Sequence, residues 1–205
     1  MKFQKISVQK PLILASASPR RKRLLSRIGL PFSSMTSRIK EDDIKGDPAL
    51  GACLLAEQKA ADVHAGIHNH WVLGADTIVV VNDEILGKPE DSNDAKRMLS
   101  LLNGREHLVI TGFCILDPSG DVAHGEAVTT TVRIKGLTDL EIEAYTNMDE
   151  PYDKAGGYAV QGIGSFMIKQ VSGSYTNVVG LPLCELIEAL ISSGALERFP
   201  MSFQT

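Results

Sequence analysis

The chain is poor in the features that mark an exported or membrane protein. Its cysteines are Cys53, Cys114 and Cys184, odd in number and far apart, a pattern that offers neither a disulfide framework nor a zinc-ligand spacing. No apolar run approaches the ~18 residues of a spanning helix, and the start shows no charged segment leading into an apolar one. The expectation is a soluble protein in a reducing cytoplasm. An excess of positive charge is lacking too: 21 Lys and Arg against 25 Asp and Glu leave a net charge of −4. That balance argues against broad binding to nucleic acid or to an anionic membrane, so any anion must be met locally. Several catalytic signatures are also missing: there is no GxSxG, no GxxxxGK[ST], no HExxH and no CxxC. His64, His68, His70, His107 and His124 form no ligand set, and the three around residue 68 read as a surface loop.

What is present suits a globular α/β protein. With 205 residues, 43% of them apolar, the chain can bury a sizeable core, and no linker or repeat divides it. We expect one domain over 1–205, with its core at about 12–192. Leu12 to Ala15 is a short apolar run, followed by Ser18 and Pro19 at the cap and first turn of a helix that carries Leu24, Leu25 and Ile28 and closes at Gly29. A second, alanine-rich helix is expected over 49–65. Residues 71–81, WVLGADTIVVV, read as a buried strand that turns at Asn82-Asp83 into EIL. Ser92 opens a helix that stops at Asn103-Gly104, and strands follow at 107–116 and 127–134. Thr138 and Glu141 form a capping box, residues 149–180 are rich in glycine and aromatic residues, and 183–191 is the last helix. Helices alternating with strands, some in hairpin-like pairs, indicate a mixed sheet.

Four stretches carry candidate chemistry. Ser18-Pro19-Arg20-Arg21 sets cations at a helix N-terminus, where the unpaired N–H groups and the helix dipole already favour an anion. The cluster is either an anion site or a solvated face; guanidinium groups with their bidentate fork would suit phosphate. Asp76 sits in an apolar strand, where a carboxylate is costly unless paired or bound to metal; the bland alternative is a strand-end cap. Thr77 points to the opposite face if the strand is regular, or lies beside Asp76 if the backbone bulges. Lys88 in GKP, Lys59 on the second helix and Glu41 in the acidic run are compatible with solvent-facing charge. Residues 153–162, DKAGGYAVQG, combine an acid, a base, permissive glycines and the amide of Gln161, which can read donor and acceptor edges.

LILASASPRRKRLL, the KEDD segment, LLAEQKA, LGADTIVVV, LGKP, TGFCIL, YDKAGGYAVQG and SYTNVVGLPL stand here in one order. Together they resemble the Maf family of nucleoside triphosphate pyrophosphatases from about Leu12 to Leu190. The resemblance implies an elongated mixed α/β fold with two lobes around a cleft, similar to that of inosine triphosphatase-like house-cleaning enzymes. It implies hydrolysis of a nucleoside triphosphate to the monophosphate and pyrophosphate with a divalent metal, Mg²⁺ or Mn²⁺. By motif, Asp76 matches the general base, and Arg20, Thr77 and Gln161 match positions that separate substrate subgroups. SPRR and DKAGxYxxQG are those of the dTTP and UTP subgroup; the subgroup acting on 7-methyl-GTP has an aromatic residue in place of Arg20 and lacks the Asp153-Lys154 pair. The family often has two acids near residue 40, and here Lys40 precedes Glu41.

Taken together, we expect Ser18, Arg20, Arg21, Lys59, Thr77, Lys88, Asp153, Lys154 and Gln161 to contact substrate, and Glu41 and Asp76 to meet metal. Lys22 and Arg23 are expected to face water. The substrate could also be a modified pyrimidine nucleotide, and a homodimer is compatible with the resemblance. A nucleotide-binding regulator of cell division, acting without turnover, is the reading from another class.

Overall fold

A computed structural model describes residues 3–39 and 46–201. Seven strands form one sheet in the order β2-β1-β3-β5-β6-β7, with β4 paired to β3. The strands are β1 (Leu12–Ala15), β2 (Phe32–Met35), β3 (Val72–Val81), β4 (Glu84–Leu86), β5 (Glu106–Leu116), β6 (Val122–Ile134) and β7 (Ile168–Ser172). The helices are α1 (Pro19–Arg27), α2 (Pro48–His64), α3 (Ser92–Leu102), α4 (Asp139–Thr146), α5 (Tyr175–Val179) and α6 (Leu183–Ser192). β1 runs parallel to both β2 and β3, whereas β3–β4 and β6–β7 are antiparallel. The sheet is therefore mixed, as the alternation of elements predicts.

Local chemistry accounts for most boundaries. Ser18 caps α1, accepting from the Arg21 N–H with Pro19 at the first position, and Asp47 caps α2 in the same way through the Leu50 N–H. Thr138 and Glu141 make both halves of the capping box of α4. Asn82 and Asp83 both take positive φ (50° and 64°), the left-handed pair that matches a tight hairpin to strand twist. β6 starts at Val122, earlier than the expected 127. β2 and β7 escape sequence reading, because FSSM and IKQVS have only half-buried or exposed positions. Three short 3-10 turns, at Glu150–Asp153, Ala155–Gly157 and Ile163–Met167, stand where glycine and aromatic residues abound.

Contacts divide the chain into two compact units. The first comprises Met1–Asp76, Thr111–Val128 and Gly180–Thr205, and the second Thr77–Ile110 and Thr129–Val179. In the first, Ile13, Ala15, Val72, Cys114 and Leu116 pack against Ala56, Ala60 and Val63 of α2. The approach is close. A Cβ on Gly74 of β3 would lie 1.9 Å from the Ala56 carbonyl oxygen, and one on Gly112 of β5 would lie 2.5 Å from that of Ala52. Glycine on the strands and alanine on the helix thus let α2 settle onto the sheet. In the second unit Val79, Val81, Leu86, Met98, Leu99, Leu102, Val132, Ile134, Ile142 and Tyr145 share a core. Fully burying such a side chain contributes about 1.5–3 kcal/mol.

The cysteines are free, as expected. Burial, with smaller effects from Glu57 and Cys53, pushes the Cys114 thiol up to about 12, so it behaves as a small apolar side chain. His64 corrects the surface-loop expectation: it lies in the last turn of α2, is buried, and its Nε2 is 3.4 Å from the Pro118 carbonyl oxygen.

Candidate active site

Asp76 is 7% exposed near the middle of β3, and Lys59 of α2 is equally buried. The Lys59 Nζ donates to Asp76 Oδ1 at 2.6 Å. This is the compensation that a carboxylate in an apolar strand requires. It follows from the packing just described. Gly74 and Asp76 share one face of β3 by the two-residue alternation, Gly74 brings α2 down, and Lys59 then meets Asp76. Of two residues each compatible with a bland role, the structure makes a buried ion pair.

The α1 cluster separates into distinct environments. Arg21 is buried; its Nε donates to the Gly180 carbonyl oxygen at 2.8 Å and its Nη1 to Ser16 Oγ at 3.2 Å. The same Ser16 Oγ accepts from the Ser18 N–H at 3.2 Å. One guanidinium thereby ties the turn before α1 to the glycine of the SYTNVVGLPL segment. Arg20 and Lys22 are half-buried and Arg23 is exposed. All of Ser18, Arg20, Arg21, Lys59 and Asp76 belong to the first unit.

Thr77, Lys88, Asp153, Lys154 and Gln161 belong to the second. Thr77 follows Asp76 on β3 and is half-buried. Lys88 is exposed on the turn after β4, and that turn is held by the Gly156 N–H donating to the Gly87 carbonyl oxygen at 2.9 Å. Lys154 Nζ donates to the Glu150 carbonyl oxygen at 2.6 Å and to Asp153 Oδ1. Gln161 Nε2 donates to the Tyr175 hydroxyl at 3.1 Å. Glu41 lies outside the described residues.

Sequence reasoning missed the groups that hold this second set. The Glu150 carboxylate accepts from the Ile163 N–H (3.1 Å), the Gly164 N–H (2.7 Å) and the Tyr145 hydroxyl (2.9 Å). Burial raises the Glu150 carboxyl, but those donors and Lys154 outweigh it and leave it below its ordinary value. His107, 2% exposed, has its Nε2 2.6 Å from the hydroxyl of the buried Tyr158, and burial pushes the imidazole down to about 4. No spacing rule reaches from Glu150 to 163 or from 107 to 158.

Among the described residues no group of three or more His, Cys, Asp or Glu side chains comes together. Mg²⁺ commonly takes one or two carboxylates plus substrate phosphates and water, and Asp76 supplies one such oxygen donor.

A mixed sheet carrying a buried acid–lysine pair, with arginines at a helix start, has the parts of a phosphate-handling hydrolase. The chain belongs to the Maf-like protein family, whose model matches residues 11–193. Similar proteins include the dTTP/UTP pyrophosphatases of Syntrophotalea carbinolica, 47% identical over 92% of this chain and 87% of that one, and of Geobacter metallireducens, 50% identical over 90% and 97%. The dTTP/UTP pyrophosphatase of Ruminiclostridium cellulolyticum is 49% identical over 85% and 92%. A solved structure of a nucleoside-triphosphatase / dITP/XTP pyrophosphatase from Mycobacterium abscessus is 12% identical with a TM-score of 0.44 over 89% of this chain and 95% of that one, a likeness too slight to bear on function.

Proposed function

We propose that the protein is a nucleoside triphosphate pyrophosphatase that converts dTTP and UTP to the monophosphate and pyrophosphate. The buried Lys59–Asp76 pair carries the hydrolytic part of this reading. The substrate part draws on the names of relatives at 47–50% identity and on SPRR and DKAGGYAVQG standing intact in this chain.

A triphosphate brings about four negative charges, and the cations assigned to that task are Arg20, Lys59 and Lys88. Arg21, whose guanidinium holds Ser16 and Gly180, adds charge and fixes the turn from which α1 starts. Asp76 accepts a proton from the attacking water as its oxygen bonds to the α-phosphorus. The bond from that phosphorus to the bridging oxygen breaks, and pyrophosphate leaves with the electron pair. Lys59 stabilises the carboxylate before the step and gives up part of that role as the proton arrives. A divalent cation held by Asp76, Glu41 and the phosphate oxygens would supply charge neutralisation of the polyphosphate. Gln161 and Thr77 are the residues assigned to recognition of the base; an amide can pair with the donor–acceptor edge of a pyrimidine.

The test is a panel of dTTP, UTP, CTP and 7-methyl-GTP with purified protein, product identification and a Mg²⁺ titration. Pyrophosphate and monophosphate from dTTP and UTP, well ahead of the other two, is the expected result. A preference for 7-methyl-GTP would move the chain to the other subgroup, and tight binding of all four without turnover would favour a regulator.

A further inference from the structure

Gln161 lies on a segment with little regular structure. The 3-10 turn that follows it, Ile163–Met167, receives no cap from its own Gly162. Its first N–H groups are instead satisfied from a distance. Glu150 Oε2 accepts from Ile163 and Oε1 from Gly164, so a carboxylate thirteen residues upstream does the work of a helix cap. On the other side of Gln161, the Ala159 N–H donates to the Tyr145 hydroxyl at 3.2 Å, and that hydroxyl donates onward to Glu150 Oε1. The segment is thus gripped at 159 and at 163–164, with Gln161 between and its Nε2 donating to the Tyr175 hydroxyl.

The grip leaves no room for alternatives. A Cβ at Gly162, where φ is +87°, would sit 2.2 Å from Glu150 Oε2, and one at Gly164 would sit 2.6 Å from the Tyr145 hydroxyl. Gly162 is required by its left-handed φ as well as by Glu150, and Gly164 by the Ala159 carbonyl oxygen, also 2.6 Å from that Cβ, as well as by Tyr145. Lys154 Nζ, bonded to the Glu150 carbonyl oxygen, ties the start of the DKAGG segment to the same residue.

We propose that Glu150 is a positioning residue for base recognition: through the backbone of 159–164 it holds the Gln161 amide in the orientation that selects thymine and uracil nucleotides. This rests on the pyrimidine reading of Gln161. On this reading Glu150 acts through backbone N–H groups and not on the reacting phosphorus or the base. Its replacement loosens Gln161 without altering the acid–base chemistry at Asp76.

The experiment compares Glu150→Gln, Gln161→Ala and the double variant, with dTTP and CTP as substrates. The Gln side chain keeps its size but presents an NH₂ group where one carboxylate oxygen accepted an N–H. For Glu150→Gln we expect KM for dTTP to rise about tenfold, kcat to stay within about threefold, and the dTTP/CTP preference in kcat/KM to fall about tenfold. The double variant should lose no more preference than Gln161→Ala alone, since both act through one amide. Backbone hydrogen exchange at Ile163 and Gly164 should speed up in Glu150→Gln about tenfold, whether or not substrate is present. Should Glu150→Gln not fold, Tyr145→Phe tests the other clamp by the same readouts. Faster exchange with an unchanged dTTP/CTP preference, while Gln161→Ala lowers it, overturns the positioning role and leaves the pyrimidine reading intact. An unchanged preference in Gln161→Ala overturns both, and wild-type protein inert towards dTTP and UTP overturns the activity before any variant is made.

Discussion

Lys59 and Asp76 are placed by α2 and β3, two long regular elements brought together by Gly74, Gly112 and the alanine face of the helix. Gln161 is placed by the side chains of Glu150 and Tyr145, which bond to backbone N–H groups on either side of it, and by the Tyr175 hydroxyl, which accepts from its Nε2. The first arrangement derives its precision from backbone ladders and close packing. The second derives it from a few polar contacts, each of which one substitution removes. Chemistry common to all nucleotides would then sit on the stiff elements, and recognition of a particular base on the segment that is simplest to retune.

The comparison predicts a split in kinetics. Asp76→Asn preserves the shape of the side chain and removes the carboxylate we propose as the base, so kcat for dTTP should fall about 10³-fold, equivalent to about 4 kcal/mol of barrier, with KM little changed. Steady-state rates on protein shown to be folded by circular dichroism measure this. A loss below tenfold would remove Asp76 from the chemical step. A loss seen mainly in KM would erase the distinction between the two regions.

The stiffness of the first region can be attacked directly. Gly74→Ala puts a methyl group 1.9 Å from the Ala56 carbonyl oxygen, and backbone cannot yield as a flexible side chain does. Either α2 moves away, carrying Lys59 from Asp76, or β3 distorts. Unfolding in urea should show a loss of about 3 kcal/mol or more, and kcat should fall with it. Gly87→Ala is the control: its Cβ meets nothing within 4 Å and its φ is not left-handed, so the change should stay within about 0.5 kcal/mol. Equal effects at the two glycines would mean that α2 is not pinned by Gly74.

Much of the first region was legible in the sequence because its causes are local. Ser18-Pro19 marks a helix start, VLGADTIVVV is too apolar to be anything but a buried strand, and a carboxylate within it needs a partner. That Lys59 is the partner was not legible; it depends on a helix–sheet approach set by two glycines on different strands. Arg21 reads from sequence as a phosphate ligand like Arg20; that its Nε and Nη1 also bond to Gly180 and Ser16 was not legible. The second region was legible as a motif and opaque as a structure. Its glycines announce unusual backbone, yet the bonds that shape it join residues five, thirteen, fourteen and fifty-one positions apart, with no periodicity to reveal them.

His107 offers the gentlest probe of the second region, because pH alone perturbs it. Its ring is buried against Tyr158, part of the same DKAGGYAVQG segment, and Nδ1 has no hydrogen-bond partner among the described residues. Burial holds the folded-state value near 4 against an ordinary 6.5. Below pH 6.5 the unfolded chain binds a proton that the native ring refuses. The stabilisation from keeping the ring neutral is therefore complete above 6.5, declines as pH falls, and is gone below about 4. At pH 5 the loss amounts to about 2 kcal/mol relative to neutral pH. His107→Gln retains a polar contact for the Tyr158 hydroxyl but cannot titrate. Carboxylates elsewhere titrate alike in both proteins and cancel in the difference. Urea unfolding at pH 7.5 and pH 5 should then show wild type losing about 2 kcal/mol more than the variant. Parallel losses would mean that the imidazole is hydrated or protonated in place. Parallel losses in unfolding with a pH-dependent rise in KM confined to wild type would locate the proton in a local opening of the 150–164 segment, and so sharpen the contrast with the pinned α2–β3 pair.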